Sequence, residues 1–252
     1  MAIRVLGAVL IVLLAAGTGF AAHPLVTDDT GTQGTGKFQV ELLYEYERVE
    51  GGGVTDTGNS FDFVFTGGLT DTVDLVLGIP LLHVRSKSVD SDDSVFGAGD
   101  LGLEVKWRFF ERDTFSLALK PGLSIPSGDD EKGLGSGRVG GSLFLIATKD
   151  LEPFAIHANV GYGRNENKLD ENKDLWHVSL ATEYKVIEGI RLVGNVGADA
   201  SADKATDTPE GFVLGGLIYS ATENLDLDIG AKGVFTESAD GFALLAGATF
   251  RF

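Results

Sequence analysis

The sequence predicts an all-β protein, a single transmembrane antiparallel up-and-down β-barrel of twelve strands behind a cleaved N-terminal signal peptide. Three observations predict it. From Lys37 onward, apolar and polar residues alternate with a period of two, the signature of strands with one apolar and one polar face. The connections between these runs alternate between long polar stretches and short turns, as the loops of outer-membrane barrels do. Aromatic residues gather near the ends of the runs, where two interfacial girdles belong.

The 252 residues include 35 glycines and 16 phenylalanines, which suits a sheet protein with many turns. No cysteine is present, so disulfides, thiol nucleophiles, thiolate metal sites and a lipoprotein anchor are excluded. The formal charge of −17 lacks the basic footprint that nucleic acid requires. It reads as the solubility of exposed loops.

The first element, residues 1–21, is the signal peptide. Arg4 supplies the positive start, Val5 to Ala16 the apolar stretch, and Gly19-Phe20-Ala21 the small residues of a cleavage site after Ala21. The apolar run is shorter than the roughly 20 residues of a membrane-spanning helix. Residues 22–36 are too polar for a membrane strand. They either hang in the periplasm or fold into the lumen as a partial plug, and the sequence leaves both open.

The barrel occupies 37–252. In the first strand, 37–48, Phe38, Val40, Leu42, Tyr44 and Tyr46 alternate with Gln39, Glu41, Leu43 and Glu45. In the second, 59–69, Phe61, Phe63 and Phe65 stand against Ser60, Asp62 and Thr66. The third spans 73–85. The fourth, 100–111, sets Leu101, Leu103, Val105, Trp107 and Phe109 against Gly102, Glu104, Lys106 and Arg108. Strands follow at 114–125, 138–149, 153–164, 175–186, 189–200 and 210–220. The eleventh, 224–235, alternates Leu225, Leu227, Ile229 and Ala231 with Asp226, Asp228, Gly230 and Lys232. Each run is close to the roughly 9–11 residues that carry a tilted strand across the hydrocarbon layer.

The long connections are Val49–Asn59, Ser86–Gly99, Pro126–Gly137, Asn165–Asp174, Ser201–Thr208 and Glu237–Asp240. The short ones lie at Asp71-Thr72, Arg112-Asp113, Asp150-Leu151, Glu188-Gly189 and Ala221–Glu223. An even strand number then places both termini in the periplasm of a bacterial cell, with the barrel in its outer membrane. Tyr46, Phe61, Tyr162, Trp176, Phe212 and Phe242 form the outer girdle. Trp107, Phe109, Phe115, Phe154, Tyr184, Tyr219, Phe250 and Phe252 form the inner one. The last strand, 241–252, ends on Phe250 and Phe252. That ending resembles the C-terminal assembly signal of bacterial outer-membrane proteins. The expected partners are therefore outer-membrane lipids, the barrel-assembly machinery and small solutes.

By parity the lumen carries Glu41, Glu45, Asp62, Asp74, Glu104, Lys106, Arg108, Lys120, His157, Asn159, His177, Glu183, Lys185, Arg191, Asn195, Asp226, Asp228, Lys232 and Arg251. Eight strands fill with side chains and sixteen enclose a channel, so twelve allow a narrow pore. The charges either filter solutes or pin the strands as ion pairs. Lys106, Arg108 and Lys120 are the candidates for a basic lining, with Asp74 beside them to neutralise it. Arg251 should lie near Gln39 and Glu41 across the closure.

The loop carboxylates Asp90, Asp92, Asp93, Asp129, Asp130 and Glu131 lack calcium-loop spacing, so no metal or cofactor is expected. The leading function is a channel or transporter, which needs no covalent chemistry. A hydrolase is the alternative. His177 and Ser179 share a strand face, and Asn159 falls opposite Ser179. The group resembles the catalytic arrangement of outer-membrane phospholipase, itself a twelve-stranded barrel. Parity, however, puts it in the lumen, and that family's wider motif is lacking. A third reading is a structural or adhesive barrel acting through its acidic loops.

The segment Pro24-Leu25-Val26-Thr27-Asp28-Asp29, then Gly31-Thr32-Gln33-Gly34-Thr35-Gly36 and Phe38-Gln39-Val40-Glu41, resembles the opening of a bacterial outer-membrane family described as transporters of the meta-pathway of phenol degradation. The resemblance implies passage of small aromatic compounds and carries over no site residues. It leaves the substrate and the oligomeric state open.

Overall fold

The computed structural model describes residues 23–236 and 240–252. The expected signal peptide, 1–21, and most of the last loop, 237–239, lie outside the described residues. The strands are β1 (Phe38–Gly51), β2 (Val54–Thr70), β3 (Val73–Lys87), β4 (Asp92–Ala98), β5 (Leu101–Arg112), β6 (Phe115–Ile125) and β7 (Gly140–Leu151). They continue with β8 (Phe154–Arg164), β9 (Asp174–Ile187), β10 (Ile190–Asp199), β11 (Glu210–Thr222), β12 (Leu225–Phe235) and β13 (Asp240–Arg251).

Neighbouring strands pair antiparallel, and β1 pairs with both β2 and β13. The β2–β3 pairing joins the two ends of the series, so the sheet closes. Closure removes the edges that would leave backbone groups unpaired in hydrocarbon. Among the described residues, twelve strands make the wall. The thirteenth, β4, pairs only with the upper part of β3, Leu81–Lys87. Lower down, β3 pairs with β5 over Val73–Gly78.

Exposure fixes which face is which. Ile229 and Val160 are 62% and 61% exposed, whereas Lys120 is 1% exposed. A protein in water buries the isoleucine and exposes the lysine. Here the outward side chains of the wall strands are mostly apolar, so the outer face is matched to lipid. The girdles are built as ring pairs. Tyr46 and Phe242 have centroids 6.1 Å apart at the loop end. Phe154 and Tyr184 stack at 4.8 Å at the turn end.

The structure corrects three expectations. The stretch Val49–Asn59 is mostly strand, because the β1–β2 ladder runs on to Gly51↔Val54. Gly52 and Gly53 make the turn at φ of 57° and 80°, a region that glycine enters without a Cβ clash. The stretch Ser86–Gly99 contains β4. Arg85 Nε donates to Asp92 Oδ1 at 2.7 Å across this hairpin, and Val95 covers a small core of Leu82, Val84 and Leu134. Beyond the membrane, continuing a ladder satisfies backbone groups that a loop leaves to water. The third correction is Phe212, which points inward and is 8% exposed. A Cβ at Gly197 would lie 2.5 Å from its ring, so the bare glycine makes the room.

Candidate functional site

The lumen is crossed by the chain's own N-terminal segment. Pro24 lies against two inward glycines, where a Cβ at Gly216 or Gly230 would come within 2.8 Å or 3.0 Å of its ring. Leu25, 4% exposed, packs on Ala181, Val193, Leu214, Ile218, Ala243 and Leu245. This is apolar packing inside the barrel, where the expected lumen was charged. The His23 ring meets the Asp228 carboxylate.

Polar residues of β9 and β10 then take over. Asn195 Oδ1 accepts from Val26 N at 2.7 Å and Thr27 N at 3.0 Å. Its Nδ2 donates to Thr27 Oγ1 at 2.7 Å. One amide thus satisfies three groups of an irregular segment that belongs to no strand.

The charged anchor is Asp28. Lys106 Nζ lies 2.8 Å from its Oδ1 and Lys120 Nζ lies 2.9 Å from its Oδ2. Lys120 also faces Glu104 at 2.9 Å. With its amide oriented to suit, Asn159 accepts from Asp28 N at 2.7 Å and donates to Asp28 O at 2.9 Å. The expected basic lining is therefore neutralised, but by Asp28 and Glu104. Asp74 is instead used as an acceptor for Gln33 N, at 3.0 Å.

The segment leaves at the turn end. Asp71, in the β2–β3 turn, accepts from Thr35 Oγ1 at 2.7 Å and from Thr35 N at 3.1 Å. These donors hold its carboxyl below the usual range. A Cβ at Gly68 would sit 1.9 Å from Gly34 O, so no other residue allows this close passage.

The remaining candidates form pairs around the segment. Arg191 bridges Glu183 at 2.7 Å and Asp226 at 3.0 Å, and Arg251 reaches the same Asp226 at 2.9 Å. Arg251 is paired in register with Gln39, although its charge goes to Asp226. Lys232 pairs with Glu45 at 2.6 Å. Arg108 Nη2 donates to Asp71 O at 3.1 Å. Lys185 is no part of the lining: its side chain is 49% exposed at the turn end and pairs with Glu188 at 2.8 Å.

Ser179 Oγ and His177 Nε2 are 2.7 Å apart, as the shared face predicts. The third partner is Asp199, whose Oδ1 lies 2.7 Å from His177 Nδ1. Asn159 does stand opposite Ser179 in the ladder, but its amide is spent on Asp28. Asp199 was legible: Asn195, Gly197 and Asp199 alternate inward on β10, and Asp199 is paired with His177. Thr27 Oγ1 covers Ser179 Oγ at 2.7 Å, and Ser179 is 5% exposed.

Two cavities lie on either side of the crossing. The turn-end cavity, about 1520 Å³ with its open mouth, is lined by Lys37, Glu41, Arg191, Asp226 and Arg251 among others. The loop-end recess, about 950 Å³ with its open mouth, is lined by Phe144, Gly161, Gly163, His177 and Asp199 among others.

A closed antiparallel barrel with an apolar outer face and a charged interior defines a transmembrane β-barrel of the outer-membrane type. The family model described as "Putative MetA-pathway of phenol degradation" matches residues 21–252, and the chain belongs to that family. Its fold is similar to that of an outer membrane channel from Pseudomonas putida F1, with 18% identity and a TM-score of 0.69 over 89% of this chain and 98% of that one. It is also similar to the KdgM porin, with 9% identity and a TM-score of 0.57 over 84% and 99%. The CymD monoaromatic hydrocarbon channel gives 8% identity and a TM-score of 0.50 over 86% and 88%. No curated protein matches the sequence.

Proposed function

We propose that the chain is an outer-membrane channel for small solutes, aromatic ones among them, closed at rest by residues 23–35. The carrying observation is the pair of cavities separated by Asp28 on Lys106 and Lys120. Ion pairs to the wall fit a segment that must both hold and release. The family description and the CymD likeness support aromatic cargo. In this reading the long loops face outward, both chain ends are periplasmic, and the barrel-assembly machinery reads Phe250 and Phe252. The inward charges, chiefly Glu104, Lys106, Lys120, Glu183, Arg191, Asp226, Asp228 and Lys232, line the solute path once the segment withdraws.

The test is conductance in a planar bilayer. The intact barrel should be silent or flicker. A variant lacking 23–35 should show stable steps that simple aromatic solutes reduce. A folded, heat-modifiable variant without conductance ends the channel reading.

One observation favours a second reading. Ser179, His177 and Asp199 have the order and spacing of a hydrolase's nucleophile, base and orienting acid. Ester hydrolysis that survives Ser179→Ala removes that reading.

A further inference from the structure

The loop-end recess exists because the wall is locally bare. Gly161 and Gly163 occupy inward positions on β8, opposite Phe144 and Ser142 of β7. At Gly161 a Cβ would meet the Phe144 ring at 2.4 Å, whereas at Gly163 the nearest atom is Leu175 Cβ at 3.9 Å. The floor is thus flat backbone, and most of the exposed lining is apolar. The Phe144 ring stands edge-on to His177, with centroids 5.6 Å apart. Among the polar groups of the lining, His177 and Asp199 stand together. A concave apolar slot with a few fixed polar groups is the usual form of a small-molecule site.

Charge narrows the ligand. Asp199 and Glu171 both line the recess. Arg164 is a cation on its wall, but it is held by Glu166 and Asp174. A carboxylate would therefore meet two acids, whereas a hydroxyl can donate to Asp199.

The His177–Asp199 pair is also the first member of a hydrogen-bond chain that ends on the crossing segment. Asn195 Nδ2 donates to Thr27 Oγ1 and Thr27 Oγ1 donates to Ser179 Oγ, each at 2.7 Å. Each hydroxyl has one proton to give. Ser179 therefore donates to His177 Nε2, and the tautomer that satisfies the ring donates from Nδ1 to Asp199. The imidazole is one rigid plate. Turning it to meet a ligand at the Asp199 side breaks its bond to Ser179, and Ser179 is the hydroxyl on which Thr27 rests.

We propose that this recess binds a small, flat, uncharged molecule carrying a hydroxyl, and that its occupancy loosens residues 23–35 through His177, Ser179 and Thr27. The inference rests on the channel reading and adds to it an entry subsite coupled to the closure. It assigns the chain Asn195–Thr27–Ser179–His177–Asp199 to regulation.

The chain contains no cysteine, so Val26→Cys in the full barrel reports release of the segment by its rate of reaction with a membrane-impermeant maleimide. Benzyl alcohol is the probe and benzoate the charged control, with binding followed by calorimetry. Benzyl alcohol should accelerate labelling by about fivefold or more, the range of ordinary allosteric coupling, and benzoate should not. Gly163→Val, which fills the recess without a backbone clash, should weaken benzyl alcohol binding by about tenfold. Ser179→Ala and, independently, Thr27→Val should bind it as before but label at a rate that ignores it. Unchanged binding in Gly163→Val overturns the subsite. Acceleration that persists in both Ser179→Ala and Thr27→Val overturns the coupling. Binding and labelling are read without conductance, so a silent barrel lacking 23–35 would defeat the channel reading alone.

Discussion

The two sides of the lumen hold the same segment by different physics. On the β3–β6 side, Asp28 is fixed by two lysines that are themselves almost fully buried. On the β9–β13 side, Leu25 rests on small and branched apolar side chains. Apolar packing holds a segment without caring much about its register. A buried ion pair holds it at one position, since removing either partner strands the other charge. The comparison teaches that the apolar side supplies adhesion and the lysine side supplies position.

The sharpest way to break this picture is Asp28→Ala. It leaves Lys106 and Lys120 facing each other with one carboxylate fewer, at a cost of about 3–5 kcal/mol to the crossing. Conductance should change from mostly closed to mostly open. Leu25→Ala comes next, at about 2–3 kcal/mol from lost burial and the cavity left behind. It should raise open probability while leaving the residual closed state in the same register. A larger effect from Leu25→Ala than from Asp28→Ala would reverse the roles assigned to the two sides.

Asn195→Ala sharpens the boundary between them. It orphans Val26 N and Thr27 N and should cost about 1–3 kcal/mol, seen as faster labelling of a cysteine at position 26. The smallest effect belongs to the exposed Asp71–Thr35 link. The Asp71 carboxyl is held below its ordinary value by Thr35, so its contribution is present above the ordinary aspartate range. It is lost as pH falls through the lowered value. Acid should therefore loosen the turn-end exit slightly in the native barrel and not at all in Asp71→Asn, which labelling at position 35 would register.

Much of this was legible in advance. Period-2 alternation placed the wall strands and sorted Lys120, Glu104 and Lys232 to the inside, because parity is a local property of extended backbone. It failed where a residue's partner lay far away in sequence. Phe212 has the position of a girdle aromatic, but the bare Gly197 admits its ring inside the barrel. Lys185 has the right parity but lies past the depth of the lumen, near the register shift at Ile190/Arg191. The strand β4 hid in a polar stretch because its pairing with β3 lies outside the membrane, where no apolar face is required.

The inward glycines Gly216 and Gly230, against Pro24, and Gly247, where a Cβ would lie 2.6 Å from His23 Nδ1, were the overlooked signal. On an inward strand face, a run of missing side chains marks where another backbone or a ligand can approach.

By itself the sequence determined the barrel, its closure by an even number of wall strands, the lipid-facing and lumen-facing sets apart from Phe212 and Lys185, and the His177–Ser179 pair. Each follows from alternation along one strand or from the lengths of consecutive connections. Only the tertiary structure decided that residues 23–35 fill the lumen and that Asp28 rather than Asp74 neutralises Lys106 and Lys120. Those outcomes depend on contacts between residues up to 205 positions apart, and a local pattern holds no information about which distant carboxylate arrives first at a buried charge.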